Sequence, residues 1–200
     1  MQLHHSFIGR AAAIAATALP LLLALPAHAQ WKLDNDASDL RFVTTKNTNF
    51  AEVQQFKKLS GEITPAGAVS FTIDLKSVET QIPIRNERLQ NLLFDVDQYP
   101  TATWTGQVDM ASLATLPPGA VSDVEVDGKL TIRGKTQDTK AALRVVRLSG
   151  ERLQVTTRAP ILVSANQFDL VAGIEKLREL MGLPNIVGTV PVNFALTFKK

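Results

Sequence analysis

The sequence predicts an all-β fold of roughly eight antiparallel strands with two short helical insertions. Three observations carry that reading. Residues 68-AVSFTIDLKSV-78 place Val69, Phe71, Ile73 and Leu75 on one face and Ala68, Ser70, Thr72 and Asp74 on the other, because side chains alternate along an extended chain. The same two-residue period returns near the end of the chain, where Val190, Val192, Phe194, Leu196 and Phe198 form a five-beat stripe. Helical spacing occurs in two short stretches without a repeated strand–helix unit, which argues against a parallel α/β sheet. Antiparallel strands must bury one face and protect their edges, and a sandwich or a closed barrel does both. The pattern leaves the two open. The helices tilt it towards an end-capped barrel, which at eight strands can enclose a small ligand.

Taken in order, 31-WKLDNDASDLRFV-43 gives two short apolar beats around a polar turn, with Leu40 and Phe42 opening a strand. The stretch 46-KNTNFAEVQQFKKLSGEITPAG-67 reads as a bent strand or a short helix followed by a turn. After the strand at 68–78 the period changes. Leu89, Leu92, Leu93 and Val96 recur at helical spacing and Pro83 stands where a helix can begin, so a helix is expected over about 83–93. Strand character resumes in 101-TATWTGQVDM-110, and LATLPPGA then forms a long turn. A strand or a pair follows in 121-VSDVEVDGKLTIRG-134, with Val124, Val126, Leu130 and Ile132 on one face. Residues 139–149 and 151–164 flank Gly150 as a hairpin. A second helix is expected in 173-GIEKLRELMG-182, stopped by Gly182 and Pro184, before a last strand within 186–200.

Residues 1–29 have the form of an export signal: Arg10, the apolar run 11-AAAIAATALPLLLAL-25, and the small-x-small site Ala27-His28-Ala29. Cleavage after Ala29 would leave residues 30–200 as one domain in the periplasm. Beyond position 29 there are 20 basic residues (21 minus Arg10) against 19 acidic ones, well mixed, so no electrostatic footprint for nucleic acid is present. His4, His5 and His28 all fall within the signal, and the chain has no cysteine. A Ser-His-Asp triad, a Cys-His pair and metal sites built on imidazole or thiolate are therefore excluded for residues 30–200.

The remaining candidates are weaker. Asp34, Asp36 and Asp39 do not meet the twelve-residue calcium-loop pattern and read as a solvated turn. Asp95 and Asp97, with Tyr99 nearby, are the compact candidates for carboxylate chemistry, and helix termination accounts for the two acids. Arg85 and Arg88 stand three apart on a helix and could receive a phosphate, or pair with Glu87 or Asp95. Lys129, Arg133 and Lys135 read as a wetted strand face, and Gly128, Gly134 and Gly173 as turns or close backbone approaches. Aromatic residues are spread over nearly every element, on faces that could be core or pocket wall.

Residues 73-IDLKSVETQIPIRNERLQNLLFDVDQYPTATW-104, together with 128-GKLTIRGKT-136 and 31-WKLDNDASDLRF-42, resemble the YceI-like family of exported lipocalin-like proteins. Ser77, Thr80, Arg85, Leu89, Phe94, Asp95, Tyr99, Pro100 and Trp104 occupy the places of that family's motif. Two departures stand out: Ala37-Ser38 where the family commonly has His-Ser, and 165-ANQFDL-170, which keeps Phe168 without the usual Arg and Gly. The resemblance implies an eight-stranded antiparallel lipocalin-like barrel, capped or flanked by the two helices. Its implied role is non-catalytic carriage of an isoprenoid lipid, of the polyprenyl phosphate, diphosphate or quinone-like type, with no cofactor or metal. Transient contact with a membrane or a membrane protein would go with that role. The wall or mouth of the lipid pocket is then expected among Phe42, Phe71, Ile73, Arg85, Leu89, Leu92, Phe94, Tyr99, Trp104, Leu130, Ile132, Phe168 and Phe194. The alternative is a filled barrel that serves as a structural or protein-interaction module.

Overall fold

The computed structural model describes residues 30–200, so the expected export signal at 1–29 lies outside the described residues. Twelve strand segments, all paired antiparallel, make up the sheet. Four pairs of consecutive segments each act as one bent strand, so the twelve reduce to eight staves. They are β1 (Trp31–Leu33 and Asp39–Lys46), β2 (Phe50–Phe56 and Leu59–Ile63), β3 (Ala68–Asp74 and Val78–Glu79) and β4 (Thr101–Gln107). The rest are β5 (Val121–Ile132), β6 (Lys135–Leu148), β7 (Arg152–Thr157 and Ile161–Ser164) and β8 (Thr189–Lys199). Each stave pairs with its neighbour in sequence. The ring closes where β8 pairs with β1, with Phe42 opposite Val192, Leu40 opposite Phe194 and Leu33 opposite Phe198. The expected barrel is therefore present, in up-and-down order.

The bends have an identifiable chemistry. A bend interrupts the ladder and leaves backbone donors to be satisfied. The Asn35 side chain accepts from the Leu59 N–H (2.7 Å), tying the break in β1 to the break in β2. At the break in β3, the Ser77 carbonyl and hydroxyl accept from the N–H groups of Lys57 (3.1 Å) and Lys58 (3.0 Å). Ser77 thus fastens the barrel's bends together. The uncertain 46–67 region is resolved as the bent strand β2 and its turn.

Helix α1 (Pro83–Arg88) begins with proline in its first turn and continues as a π-helical turn over Leu89–Phe94. Asp95 ends it in the left-handed conformation (φ 53°), and its carbonyl accepts from the N–H groups of Gln98 and Tyr99. Helix termination is thus the role seen for Asp95, while Asp97 is exposed and 3.3 Å from Lys76. Helix α3 (Val171–Leu180) lies against that π-helical turn so closely that a side chain on Gly173 would meet the Leu92 carbonyl oxygen at 2.6 Å.

A third helix, α2 (Met110–Ala114), corrects the expected strand and long turn. The strand stops at Gln107 because Asp109 caps a helix, accepting from the N–H groups of Ala111 (3.0 Å) and Ser112 (3.3 Å). A further correction concerns Arg133. It is not part of a wetted strand face: with Gly134 it forms the two-residue turn between β5 and β6, both at positive φ (48° and 71°). α2, between β4 and β5 in the chain, sits at one end of the barrel, while α1 and α3 cover the other.

Glu79 fastens the entry to α1. Hydrogen bonds from Lys57, then Asn86, then the Gln81 N–H lower its pKa from 4.5 to about 2. A lowered carboxylate contributes stability above its unfolded pKa and loses it as pH falls through the folded value. The stability difference between the wild type and Glu79→Gln is expected to be largest above pH 4.5 and to vanish towards pH 2. Denaturant unfolding across that range checks this, and a difference independent of pH would contradict it.

Candidate functional site

The inward-facing side chains do not meet at the centre of the barrel. They surround a cavity of about 290 Å³. Every stave contributes apolar wall: Leu40 and Phe42, Phe56 and Ile63, Phe71 and Ile73, Ala102 and Trp104, Val124 and Leu130, Ala141 and Leu143, Leu153 and Val155, Phe194 and Leu196. Val108 and Leu113 line it at the α2 end. Leu89, Leu93 and Phe94 from the α1 region and Ile174, Leu177 and Met181 from the α3 region line it at the other. Phe42, Phe56 and Phe94 pack in series, with ring centroids 5.2 and 5.9 Å apart.

Trp104 lies flat on this wall. A Cβ on Gly106 or Gly128, paired across β4 and β5, would come within 2.3 and 2.2 Å of the indole. The two glycines therefore form its seat, and the Trp104 Nε1–H donates to Thr139 Oγ1 at 2.8 Å. A buried indole N–H needs such a partner.

Polar lining collects at one end, between the β1–β2 hairpin and α1. On β2, Phe50, Glu52, Gln54 and Phe56 share the inward face, opposite Lys46, Thr44, Phe42 and Leu40 of β1. Arg85 enters from α1. Its Nη1 donates to both Glu52 oxygens (3.0 and 2.8 Å) and its Nη2 to the Thr80 carbonyl (2.6 Å). Lys46 Nζ lies 2.7 Å from the same carboxylate. Burial works to raise the Glu52 pKa, but hydrogen bonds from Lys46 and Arg85 outweigh it and hold the group below its ordinary value. Lys46, Met181 and Val187 combine cavity lining with a mouth position; Met181 is 36% and Val187 41% exposed.

Ten of the thirteen residues expected at the pocket line this cavity: Phe42, Phe71, Ile73, Arg85, Leu89, Phe94, Trp104, Leu130, Ile132 and Phe194. Three do not. Leu92 is absent from the wall, and its backbone carbonyl lies against Gly173. Tyr99 lies under the Arg133 guanidinium, 5.6 Å from ring centroid to charge. Phe168, 1% exposed, is sealed in the core. Arg85 pairs with Glu52 rather than with Glu87 or Asp95, and Arg88 is not on the cavity wall. The sequence reading missed Lys46, Glu52 and Gln54. A signal existed: in 50-FAEVQQF-56 aromatic residues bracket two polar ones at the two-residue period.

Ala37 and Asp169 also lie off the wall, whereas Ala165, at the place of the family's usual Arg, lines the cavity. Ser38 Oγ donates to the Asp34 carbonyl (2.7 Å) and accepts from the Thr197 N–H (3.0 Å), a tie between β1 and β8. Asp169 takes φ 54°, a left-handed conformation that glycine adopts without strain. Among the described residues no group of three or more His, Cys, Asp or Glu is placed to hold a metal ion.

An antiparallel barrel closed around an apolar cavity with a polar mouth defines the class: a lipocalin-like barrel. The YceI-like domain model matches residues 31–198, and the chain belongs to that family. A solved polyisoprenoid binding domain from Saccharophagus degradans, implicated in plant cell wall breakdown, is 41% identical; the match covers 84% of this chain and 97% of that one, with a TM-score of 0.83. BcnA of Burkholderia cenocepacia is 23% identical over 82% of this chain and 98% of its own, with a TM-score of 0.61, a likeness of fold. No functionally curated protein matches the chain.

Gly128→Ala is expected to displace Trp104 from its seat and to lower stability by about 1–3 kcal/mol, the usual cost of overpacking. Denaturant unfolding measures it, and an unchanged midpoint would mean the indole is not held by that glycine.

Proposed function

We propose that this chain is an exported, non-catalytic carrier that holds the hydrocarbon tail of an isoprenoid lipid inside the barrel. The observation that carries the reading is the apolar cavity reaching from Leu113 at one end to the Lys46–Glu52–Arg85 cluster at the other. An elongated apolar interior with its polar groups at one end suits an amphipathic chain. Support comes also from the Saccharophagus degradans relative, described as a polyisoprenoid binding domain.

Magnitudes favour occupancy over an empty barrel. Burial contributes about 0.8 kcal/mol per CH₂, hence roughly 3–4 kcal/mol per five-carbon unit relative to water. A few units offset an association cost of about 4–15 kcal/mol. A lipid drawn from a membrane is already out of water, so its exchange with the barrel is nearly balanced. Near-balance suits a carrier, which must release what it takes up. Export by residues 1–29 to the periplasm would place the barrel between membranes, and the exposed rim residues Met181 and Val187 would make its transient membrane contact.

The protein purified from its own periplasm is expected to yield one extractable isoprenoid per chain by native mass spectrometry. Repeated recovery of folded, empty protein would overturn the carrier reading and favour the structural or protein-interaction module.

A further inference from the structure

One side chain at the polar mouth is unexplained by the packing around it. Gln54 is 3% exposed, lines the cavity, and its Oε1 has no hydrogen-bond partner. Buried polar atoms are nearly always paired, and an orphan carries the full cost of its lost hydration. Its neighbours on β2 do not meet the need: Glu52 one step outward is engaged by Arg85 and Lys46, and Phe56 one step inward is aromatic. The position on the strand aims the amide inward, between the charged cluster and the apolar wall.

We infer that Gln54 is the head-group contact of the cavity, and that its unpartnered amide oxygen selects an isoprenoid ending in an uncharged hydroxyl. This rests on the lipid-carrier reading above. The argument is one of donors and acceptors. The amide oxygen accepts and the amide nitrogen donates, so a group that does both answers each end of the side chain. A hydroxyl does; an ionised phosphate or diphosphate offers acceptors. The charges point the same way. Arg85 spends Nη1 on both oxygens of Glu52 and Nη2 on the Thr80 carbonyl, and Lys46 shares the same carboxylate. The cations at the mouth are already engaged, and a phosphate there would face the Glu52 carboxylate. Arg85 Nε is the other buried polar atom at the mouth without a partner. A hydroxyl both donates and accepts, which suits a buried amide that carries both an acceptor and a donor.

The test uses the delipidated protein and calorimetry with four probes sharing a twenty-carbon isoprenoid tail: geranylgeraniol, its methyl ether, its diphosphate and the oxygen-free hydrocarbon. The alcohol is expected to bind about tenfold tighter than the methyl ether or the hydrocarbon, the scale of one hydrogen bond to a buried acceptor, and tighter than the diphosphate. In Gln54→Leu the alcohol should fall to parity with the hydrocarbon, hydrocarbon affinity should hold or improve, and the empty variant should melt at a higher temperature. The ether comparison needs no variant and so stands even if Gln54→Leu fails to fold. Tighter binding of the diphosphate, equal binding of alcohol and ether, or an alcohol preference that survives Gln54→Leu would each overturn the assignment. If the hydrocarbon binds as well as the alcohol, the carrier reading survives without it; if no probe binds, both fall.

Discussion

The pairing of the last stave with the first is the constraint on which the rest of the molecule depends. With β8 hydrogen-bonded to β1, no stave is left as a free sheet edge, and every inward side chain faces one enclosed volume. Whether that volume is solid or hollow then depends on side-chain size alone. Small residues at inward positions, Ala102 and Ala141 among them, leave the centre open, and Gly106 and Gly128 let the largest wall residue lie flat rather than project across it. The bends in β1, β2, β3 and β7 let the sheet close, and at the bend in β2 Asn35 and Ser77 satisfy the donors that the interrupted ladder releases.

Much of this architecture was legible in the sequence, because a two-residue period maps directly onto an inner and an outer face. The stripe Val190–Phe198 and the stripe Val69–Leu75 both line the cavity as their alternation implied. What alternation does not encode is where a strand gives way to a local cap. Asp109 converted the expected end of a strand into α2, and Arg133-Gly134 converted part of an expected face into a turn. Periodicity also says nothing about depth within a helix layer. Leu89 and Leu92 belong to one apolar pattern, yet Leu89 reaches the cavity and Leu92 does not, at the point where Gly173 brings two helical backbones together. The polar mouth escaped notice for a related reason: a search for apolar stripes passes over Glu52 and Gln54, which hold inward positions while contributing no hydrophobic signal.

Seven of the nine motif residues shared with the YceI-like family divide into two jobs. Ser77, Thr80 and Asp95 hold backbone: Ser77 at the strand bends, Thr80 by donating its N–H to Asn86 Oδ1 at 2.8 Å, and Asp95 at the end of the helical segment. Arg85, Leu89, Phe94 and Trp104 face the interior. The stretch from Ser77 to Trp104 therefore couples the scaffold to the cavity: the same turns that redirect the chain over the barrel end also set the position of the groups that look into it. Arg85 joins both jobs, since its guanidinium ties α1 to Thr80 and to Glu52 on β2 while lining the mouth.

The two tryptophans stand in opposite circumstances. Trp31 is 1% exposed and covered by the cations of Arg147 and Lys200, 5.0 and 5.2 Å from its ring. Trp104 looks into the hollow interior from its glycine seat. Indole emission responds to the polarity and packing next to the ring, so the chain carries a built-in optical gauge: one fluorophore shielded from whatever enters the barrel, the other in its path. A shift in colour on filling would therefore originate at Trp104, against a steady background from its sealed counterpart.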